Sequence, residues 1–483
     1  MVRTLYERNS RWGPWVAGRE RPSAEREVGS VVSPADGAQL AQVEQATSAD
    51  VDEVIAVAHE AFQQHRFATG HQRAAWLRAS AAALRKCADE LSAGLIDVLG
   101  KPRKMAVGEV DRGIDLLDLC AEEIARFGGE TIPLDAVSNG KDMWGLTRRE
   151  PYGVVAAITP FNAPVNLLLQ KVAPALATGN AVVVKPAPEG AIAALQVAEA
   201  LAGVLPDGLL NVINGDAEAA RELSGNALVR AVSLTGGVAA GESVMQAAGI
   251  KPVLLELGSN APNVVADDAD LDDAATRIAG AAFGASGQQC ISAQRIIVDT
   301  AVFDEFSACF IAAARELVVG DPRDTATDLG PLVSERRKLH IDRYLDDAEA
   351  RGGRILLDGR RKDLFYGPTI VADLPPESLL RCDEVFGPVA VLIEVDSFDE
   401  AIAVANDSEL GLQAACFTRS LARAMQAAER IEAGTVLINQ ASRFRIDLYP
   451  FGGYKKSGIG REGVRSAMEG FSQIKTVAIR PLE

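Results

Sequence analysis

The chain has 483 residues, 48% hydrophobic and 24% charged, which excludes wholesale disorder and leaves room for two or three domains. A net charge of −17 excludes nucleic acid as the main partner, since phosphate backbones need a basic face, but leaves a local anion site open. Six cysteines at 87, 120, 290, 309, 382 and 416 form no CxxC pair or Cys/His cluster, which argues against zinc or disulfides and for a reducing cytoplasm.

In chain order, Met1-Val-Arg-Thr-Leu-Tyr-Glu-Arg8 has no apolar h-region, so no signal peptide is expected. Residues 1–48 read as short strands and turns, with turn chemistry at Ser33-Pro-Ala-Asp-Gly37. Asp50 is placed to cap a helix whose Val51, Val54, Ile55, Ala58 and Phe62 share a face. A second helix from about Arg73 carries Trp76, Leu77, Leu84, Leu91 and Leu95; a third runs from about Lys104 to Phe127. His59, His65 and His71 are too widely spaced to ligate a metal from one face and read as surface residues.

From Tyr152 the pattern becomes strands alternating with helices. Val154–Thr159, Ala181–Lys185, Leu210–Ile213 and Ala231–Thr235 are apolar runs, which predicts a parallel sheet covered on both faces. Ligands bind such sheets at the carboxyl ends of the strands, here Asn162, Lys185, Gly215, Gly236 and Gly237. Pro160, Asn162, Pro164, Asn166, Lys171 and Pro174 interrupt the most apolar tract, so no membrane partner is expected. A second α/β set runs from Pro252 to about Asn439, with Arg295–Val298, Gly387–Glu394 and Thr435–Asn439 as strands. The tail Gln473–Ile479 reads as a lone strand with Trp144–Arg148 as its candidate neighbour, within or between subunits.

Chemistry concentrates at Phe283-Gly-Ala-Ser-Gly-Gln-Gln-Cys290. Most free cysteines are small buried hydrophobes, but glycines at 284 and 287 let backbone approach a ligand, and a thiolate there could attack an electrophile. Glu256 is a charge inside the apolar strand Pro252–Ser259. It is either ion-paired or a general base whose pKa burial raises. Glu384 follows the same logic at a loop. Gly236-Gly-Val-Ala-Ala-Gly241-Glu242-Ser243 nearly spells a P-loop, but Glu242 replaces its lysine, which excludes a triphosphate site. A glycine pair opening a helix can still take a pyrophosphate. No G-x-G-x-x-G stands at 214–220, and no G-x-S-x-G elbow supports a serine hydrolase.

Seven motifs in order, Thr159-Pro-Phe-Asn162, Val184-Lys-Pro186, Leu234-Thr-Gly-Gly237, Leu255-Glu-Leu-Gly258, Gly287-Gln-Gln-Cys290, Glu384-Val-Phe-Gly-Pro388 and Pro450–Gly458, resemble the aldehyde dehydrogenase superfamily over nearly the whole chain. The resemblance implies an α/β fold of two parallel-sheet domains with a small oligomerisation arm. Residues 1–125 and 149–255 would bind NAD(P), 256–447 would carry catalysis, and 126–148 with 465–483 would form the arm of a homodimer or homotetramer. It implies Cys290 as nucleophile, Asn162 as oxyanion donor and Glu256 as the base that hydrolyses the thioester. The cofactor, NAD or NADP with NAD slightly favoured, would meet Ile158, Phe161, Lys185, Gly215, Thr235, Gly236, Gly237, Leu257, Glu384 and Phe386.

Three positions depart from the family pattern. Pro188 stands where a glutamate often follows the lysine by three, with Glu189 one further on, Gly237 replaces a serine, and Ser259 replaces a glycine. The loop Ser442–Asp447 looks most like those of lactaldehyde and phosphonoacetaldehyde dehydrogenases. Arg443 and Arg445 there, with Arg112, are candidates for binding a short polar or anionic aldehyde, although Gln289 and Ala163 stand where a phosphonate would favour arginine and histidine. The alternatives are a cofactor-binding relative without turnover and a cysteine-dependent esterase.

Overall fold

The structure is a computed structural model that describes residues 10–481. The reading of Met1–Arg8 lies outside them, as do the last two residues of the expected arm. The first helix runs Ser48–His65 and buries the forecast face, Val51, Val54, Ile55, Ala58 and Phe62. Its cap is Thr47 rather than Asp50, which sits three residues in and closes a reciprocal capping box. The forecast second helix is two, Gly70–Arg85 and Ala88–Leu99, broken at Lys86-Cys87 so that Leu84 and Leu91 reach the core from different axes. The third is Arg103–Glu123, continued by a 3-10 turn at Ile124–Arg126.

The first sheet has eight strands in the order Gly458–Ile459, Val253–Glu256, Val229–Thr235, Val154–Thr159, Ala181–Pro186, Leu210–Val212, Trp15–Val16 and Arg19–Glu20. The five strands from Val253–Glu256 to Leu210–Val212 are parallel. Numbered along the chain, they lie in the doubly wound order 3-2-1-4-5, which reverses between Val154–Thr159 and Val229–Thr235. The loops after Thr159 and Thr235 therefore part there and open a crevice. Register pairs Thr159 with Pro186 and Thr235 with Glu256, so the residues expected to bind cofactor and activate water end adjacent strands.

The second sheet has seven strands, Arg354–Leu357, Thr369–Ala372, Val389–Val395, Arg295–Asp299, Pro262–Val265, Gln413–Phe417 and Thr435–Ile438, all parallel except the first. Alternate residues feed opposite cores: Val264, Ile297 and Val391 enter one, Val265, Ile296 and Leu392 the other. This is the two-faced burial that apolar runs without alternation demand. A third sheet pairs Ser472–Ile479 antiparallel to Trp144–Pro151, with Thr131–Ile132 beyond. The tail strand thus finds its partner within its own chain. No helix among the described residues is long and apolar enough to cross a membrane.

Candidate active site

Cys290 lies just after the helix Leu271–Phe283 and a tight turn, Gly284–Gly287. Ala285 and Ser286 both sit at left-handed φ, 55° and 56°, which is costly for residues bearing a Cβ and marks a held conformation. Ser286 Oγ donates to Gly330 O at 2.7 Å, and Gln288 Oε1 accepts the Val333 N–H at 3.1 Å, so neighbouring loops hold the turn. The two glycines answer to the protein rather than to a ligand. A Cβ at Gly284 would strike the Arg443 guanidinium, and one at Gly287, which has φ 65°, would strike the Gly387 carbonyl.

Glu256 ends its strand fully buried, and the Cys290 thiol is the one side chain that hydrogen-bonds to its carboxylate among the described residues. It forms no ion pair among the described residues. Burial raises its pKa, and the nearby Glu462 raises it further, against smaller opposing effects from Arg445, the Cys290 thiol and Lys171. Burial and the Glu256 charge together hold the Cys290 thiol well above its usual range, opposed in part by Arg445. A thiol and an unpaired base thus act on each other in one water-poor space.

Asn162 reaches the same region from the loop after Thr159. Its backbone carbonyl accepts Lys101 Nζ at 2.6 Å, while its side-chain amide makes no hydrogen bond to the described residues. Lys101 is also paired with Glu109, whose other oxygen accepts the Val165 and Asn166 N–H groups at 2.9 and 3.3 Å. Sequence reasoning missed this buried pair. Asn162 and Lys101 share the lining of a cavity of about 20 Å³ with Ala285, Ser286 and Gln288, joining the amide loop to the nucleophile turn. That volume admits about one water.

The three arginines named for substrate charge have different surroundings. Arg445 is buried, donates to Glu462 at 2.9 Å and stacks 3.8 Å from the centroid of Phe451. Arg112 forks onto Asp447 at 2.9 and 2.6 Å. Both are ion-paired within the chain, so each charge already has a carboxylate beside it. Arg443 is different. It donates to Gln289 Oε1 at 2.6 Å and Gly280 O at 3.1 Å and touches Met105 Sδ at 3.7 Å, and no carboxylate among the described residues pairs with it. Burial alone lowers its pKa to about 10.

The crevice at the sheet's carboxyl edge has features that fit a dinucleotide. Gly237 caps the helix Val238–Ala248 without a side-chain bond, no acid occupies its first turn, and a Cβ there would meet nothing within 4 Å. The first-turn N–H groups are therefore free for a pyrophosphate. Gly236 is not free, since its N–H is donated to Glu256 O at 3.0 Å. Lys185 is buried without a bonding partner among the described residues, and burial lowers its pKa against the pull of Asp216 and Glu189. The Thr159 hydroxyl and the Asn214 amide nearby are buried and unpartnered. Ile158 and Phe161 are buried at the edge of the crevice, Gly215 lies against Ala219, and Leu257 packs on Gly241. Thr235 is taken up structurally by Lys171 at 2.7 Å. Glu384 accepts the Ser259 N–H at 3.0 Å, and burial pushes its pKa up to about 8. Phe386 packs edge-on to Phe161, with centroids 5.8 Å apart.

The family description "Aldehyde dehydrogenase family" matches residues 21–477. The chain belongs to the aldehyde dehydrogenase family. It is 38% identical over 471 residues to the 3-sulfolactaldehyde dehydrogenase of Priestia aryabhattai, covering 97% of this chain and 98% of that one. Aldehyde dehydrogenase 21 from Physcomitrella patens, solved in complex with the reaction product succinate, superposes with a TM-score of 0.94 at 36% identity, covering 98% of each chain. The NADP-dependent glyceraldehyde-3-phosphate dehydrogenase from Bacillus halodurans C-125, complexed with NADP, also gives 0.94 at 34% identity, covering 98% and 99%. This aldehyde dehydrogenase accordingly uses NAD or NADP.

Proposed function

We propose that the enzyme oxidises a short aldehyde with an anionic or strongly polar tail to its carboxylic acid through a covalent Cys290 adduct. The observation that carries the chemistry is the buried, unpaired Glu256 carboxylate acting on the Cys290 thiol. The Cys290 thiol gives up its proton to solvent and its sulfur attacks the carbonyl carbon, and the Asn162 amide and Cys290 backbone N–H donate to the oxyanion of the thiohemiacetal. NAD(P), when bound, accepts the hydride that leaves this carbon. The carbonyl re-forms as a thioester. Glu256 then takes a proton from water, the hydroxide adds to the thioester, and collapse releases the acid and the thiolate.

Lys185 and the free N–H groups after Gly237 would hold the cofactor's ribose and pyrophosphate, with Glu384 and Phe386 at the other ribose. Glu189 and Asp216 beside Lys185 disfavour an added 2′-phosphate, which supports a slight preference for NAD. The sheet ordered 3-2-1-4-5 would serve cofactor binding in 1–125 and 149–255, and the second sheet catalysis in 256–447. Exposed Trp144 and Ile474 on the 126–148 and 465–483 arm support a second copy as its cover, hence a homodimer or homotetramer.

Arg443 carries the substrate reading. A buried guanidinium with no carboxylate is costly unless a ligand supplies the anion, and this one is bonded to the residue preceding the nucleophile. The 3-sulfolactaldehyde, succinate and 3-phosphate in the relatives' names each carry an anionic group away from the reacting carbon, which supports this class. The test is kcat/KM for matched short aldehydes, neutral against carboxylate-, sulfonate- and phosphate-bearing. Arg443→Gln should lower it about 10- to 100-fold for the anionic set and spare the neutral set. Equal rates for both sets in the unaltered enzyme would sink the proposal.

A further inference from the structure

An oxyanion donor must hold its amide in one place while giving none of its bonds to the protein. The Asn162 amide meets the second condition, so the side chain cannot anchor itself. Its backbone is little better tied. No backbone–backbone hydrogen bond involves residues 160–162 among the described residues, and Pro160 and Pro164 remove two N–H groups from the loop.

Lys101 supplies the missing tie, since its ammonium donates to the Asn162 carbonyl at 2.6 Å. Its counter-ion Glu109 accepts the Val165 and Asn166 N–H groups at 2.9 and 3.3 Å. Glu109 thereby caps the helix Pro164–Ala177, whose own cap residue, Ala163, makes no side-chain bond. The pair grips both ends of Asn162-Ala-Pro-Val165. Buried ion pairs gain little stability over apolar packing, so holding this loop in place is the better account of one buried here. The pair is also tied to the nucleophile. Gly100, just before Lys101, takes φ 66°; a Cβ on it would strike Pro331, and a Cβ on Gly330 would strike its carbonyl. The Gly330 carbonyl in turn accepts Ser286 Oγ at 2.7 Å, in the left-handed turn before Cys290. One segment, Gly330-Pro331, thus supports the Lys101 backbone on one side and the Cys290 turn on the other.

We infer that Lys101, held by Glu109, is a positioning residue that fixes the Asn162 amide relative to the Cys290 backbone N–H, so that both donors meet one oxyanion. It touches no reacting atom and acts through the Asn162 carbonyl. The inference rests on the reading of Asn162 as oxyanion donor.

The test is a double-mutant cycle read by the maximal single-turnover rate of cofactor reduction. Lys101→Met alone strands a buried carboxylate and destabilises the chain. The pair is therefore neutralised as Lys101→Met with Glu109→Gln, whose amide oxygen can still accept the helix N–H groups. This pair variant should slow the turnover about 10- to 100-fold, as expected for a group moved off its mark. Asn162→Ala should slow it about 10²- to 10³-fold. In the Asn162→Ala background the pair variant should cost less than about twofold more, because no amide is left to position. The full further loss in that background would mean a merely structural pair and would overturn the inference. So would a pair variant at the parental rate where Asn162→Ala is slow. Asn162→Ala at the parental rate would instead remove the oxyanion reading itself, and the inference with it.

Discussion

Replacing Glu256 by Gln removes one charge and almost no bonding. Glu256 forms no ion pair among the described residues, and its one hydrogen-bonding side chain is the Cys290 thiol, to which the isosteric amide oxygen can still serve as acceptor. It also removes repulsion from Glu462, which is among the causes that raise the Glu256 pKa. The variant should therefore fold with at least the stability of its parent. General-base assistance is worth about 10²- to 10⁴-fold, or roughly 3–5 kcal/mol of barrier, and on the proposed path that loss falls on thioester hydrolysis alone. Stopped-flow measurement of reduced cofactor separates the two halves. The expected trace is a burst close to one turnover per active site, followed by a steady state slowed by at least about 10²-fold. An unchanged steady state would refute Glu256 as the base for water. A lost burst in folded protein would show that Glu256 acts earlier, on the thiol proton, and the assignment of steps would have to be redrawn.

Two further outcomes follow from buried charge. Burial holds the Glu384 carboxyl protonated up to about pH 8, against an ordinary value of 4.5. Between those values the folded chain keeps a proton that the unfolded chain has lost, so stability falls as pH rises, by up to about 1.4 kcal/mol per pH unit. Urea unfolding from pH 5 to 8 should show a shallower decline in Glu384→Gln than in the parent; identical slopes would mean that Glu384 is ionised throughout. Arg445→Met leaves Glu462 buried with only Lys171 beside it and should cost about 3 kcal/mol of stability. It should leave the ratio of anionic to neutral aldehyde turnover unchanged; loss of that ratio without loss of stability would restore Arg445 as a substrate contact.

Arg443 and Arg445 show where the sequence stops being informative. They stand two residues apart in one loop, and composition and spacing treat them alike. What separates them is distant in the chain: Glu462 and Asp447 neutralise one, while Gln289 and the Gly280 carbonyl hold the other without cancelling its charge. Strands were legible because two-sided burial demands uninterrupted Val, Ile and Ala, as in Ala181–Pro186, and the expected ligand edge followed from their order. Helix limits were less so. The break at Lys86-Cys87 carries no Gly or Pro, so the apolar spacing runs on through it and only tertiary packing reveals the turn. Gly284 looked like room for a ligand because a missing side chain says nothing of what fills the space, and here Arg443 fills it. The Lys101–Glu109 pair was invisible for a similar reason: eight residues apart across a helix start, neither residue signals burial until the Asn162 loop folds over both.

The same long-range charges explain how Glu256 can be unpaired and still serve as a base. Lys171 bonds Thr235 and Glu462, Arg445 bonds Glu462 and lies 3.9 Å from Asp447, and Arg112 and Gln170 bond Asp447. This chain of contacts runs from the end of the strand beside Glu256 to the helix Arg103–Glu123. It holds three cations, Lys171, Arg445 and Arg112, against the two carboxylates Glu462 and Asp447. With Glu256 protonated the cluster has an excess positive charge; with Glu256 ionised it is neutral. Compensation thus comes through space rather than through a bond to the carboxylate. A direct ion pair would hold Glu256 ionised but occupy the oxygens that must take a proton from water, and full isolation would keep it protonated. Distant cations avoid both, leaving the pKa raised by burial and the carboxylate open to a proton from water.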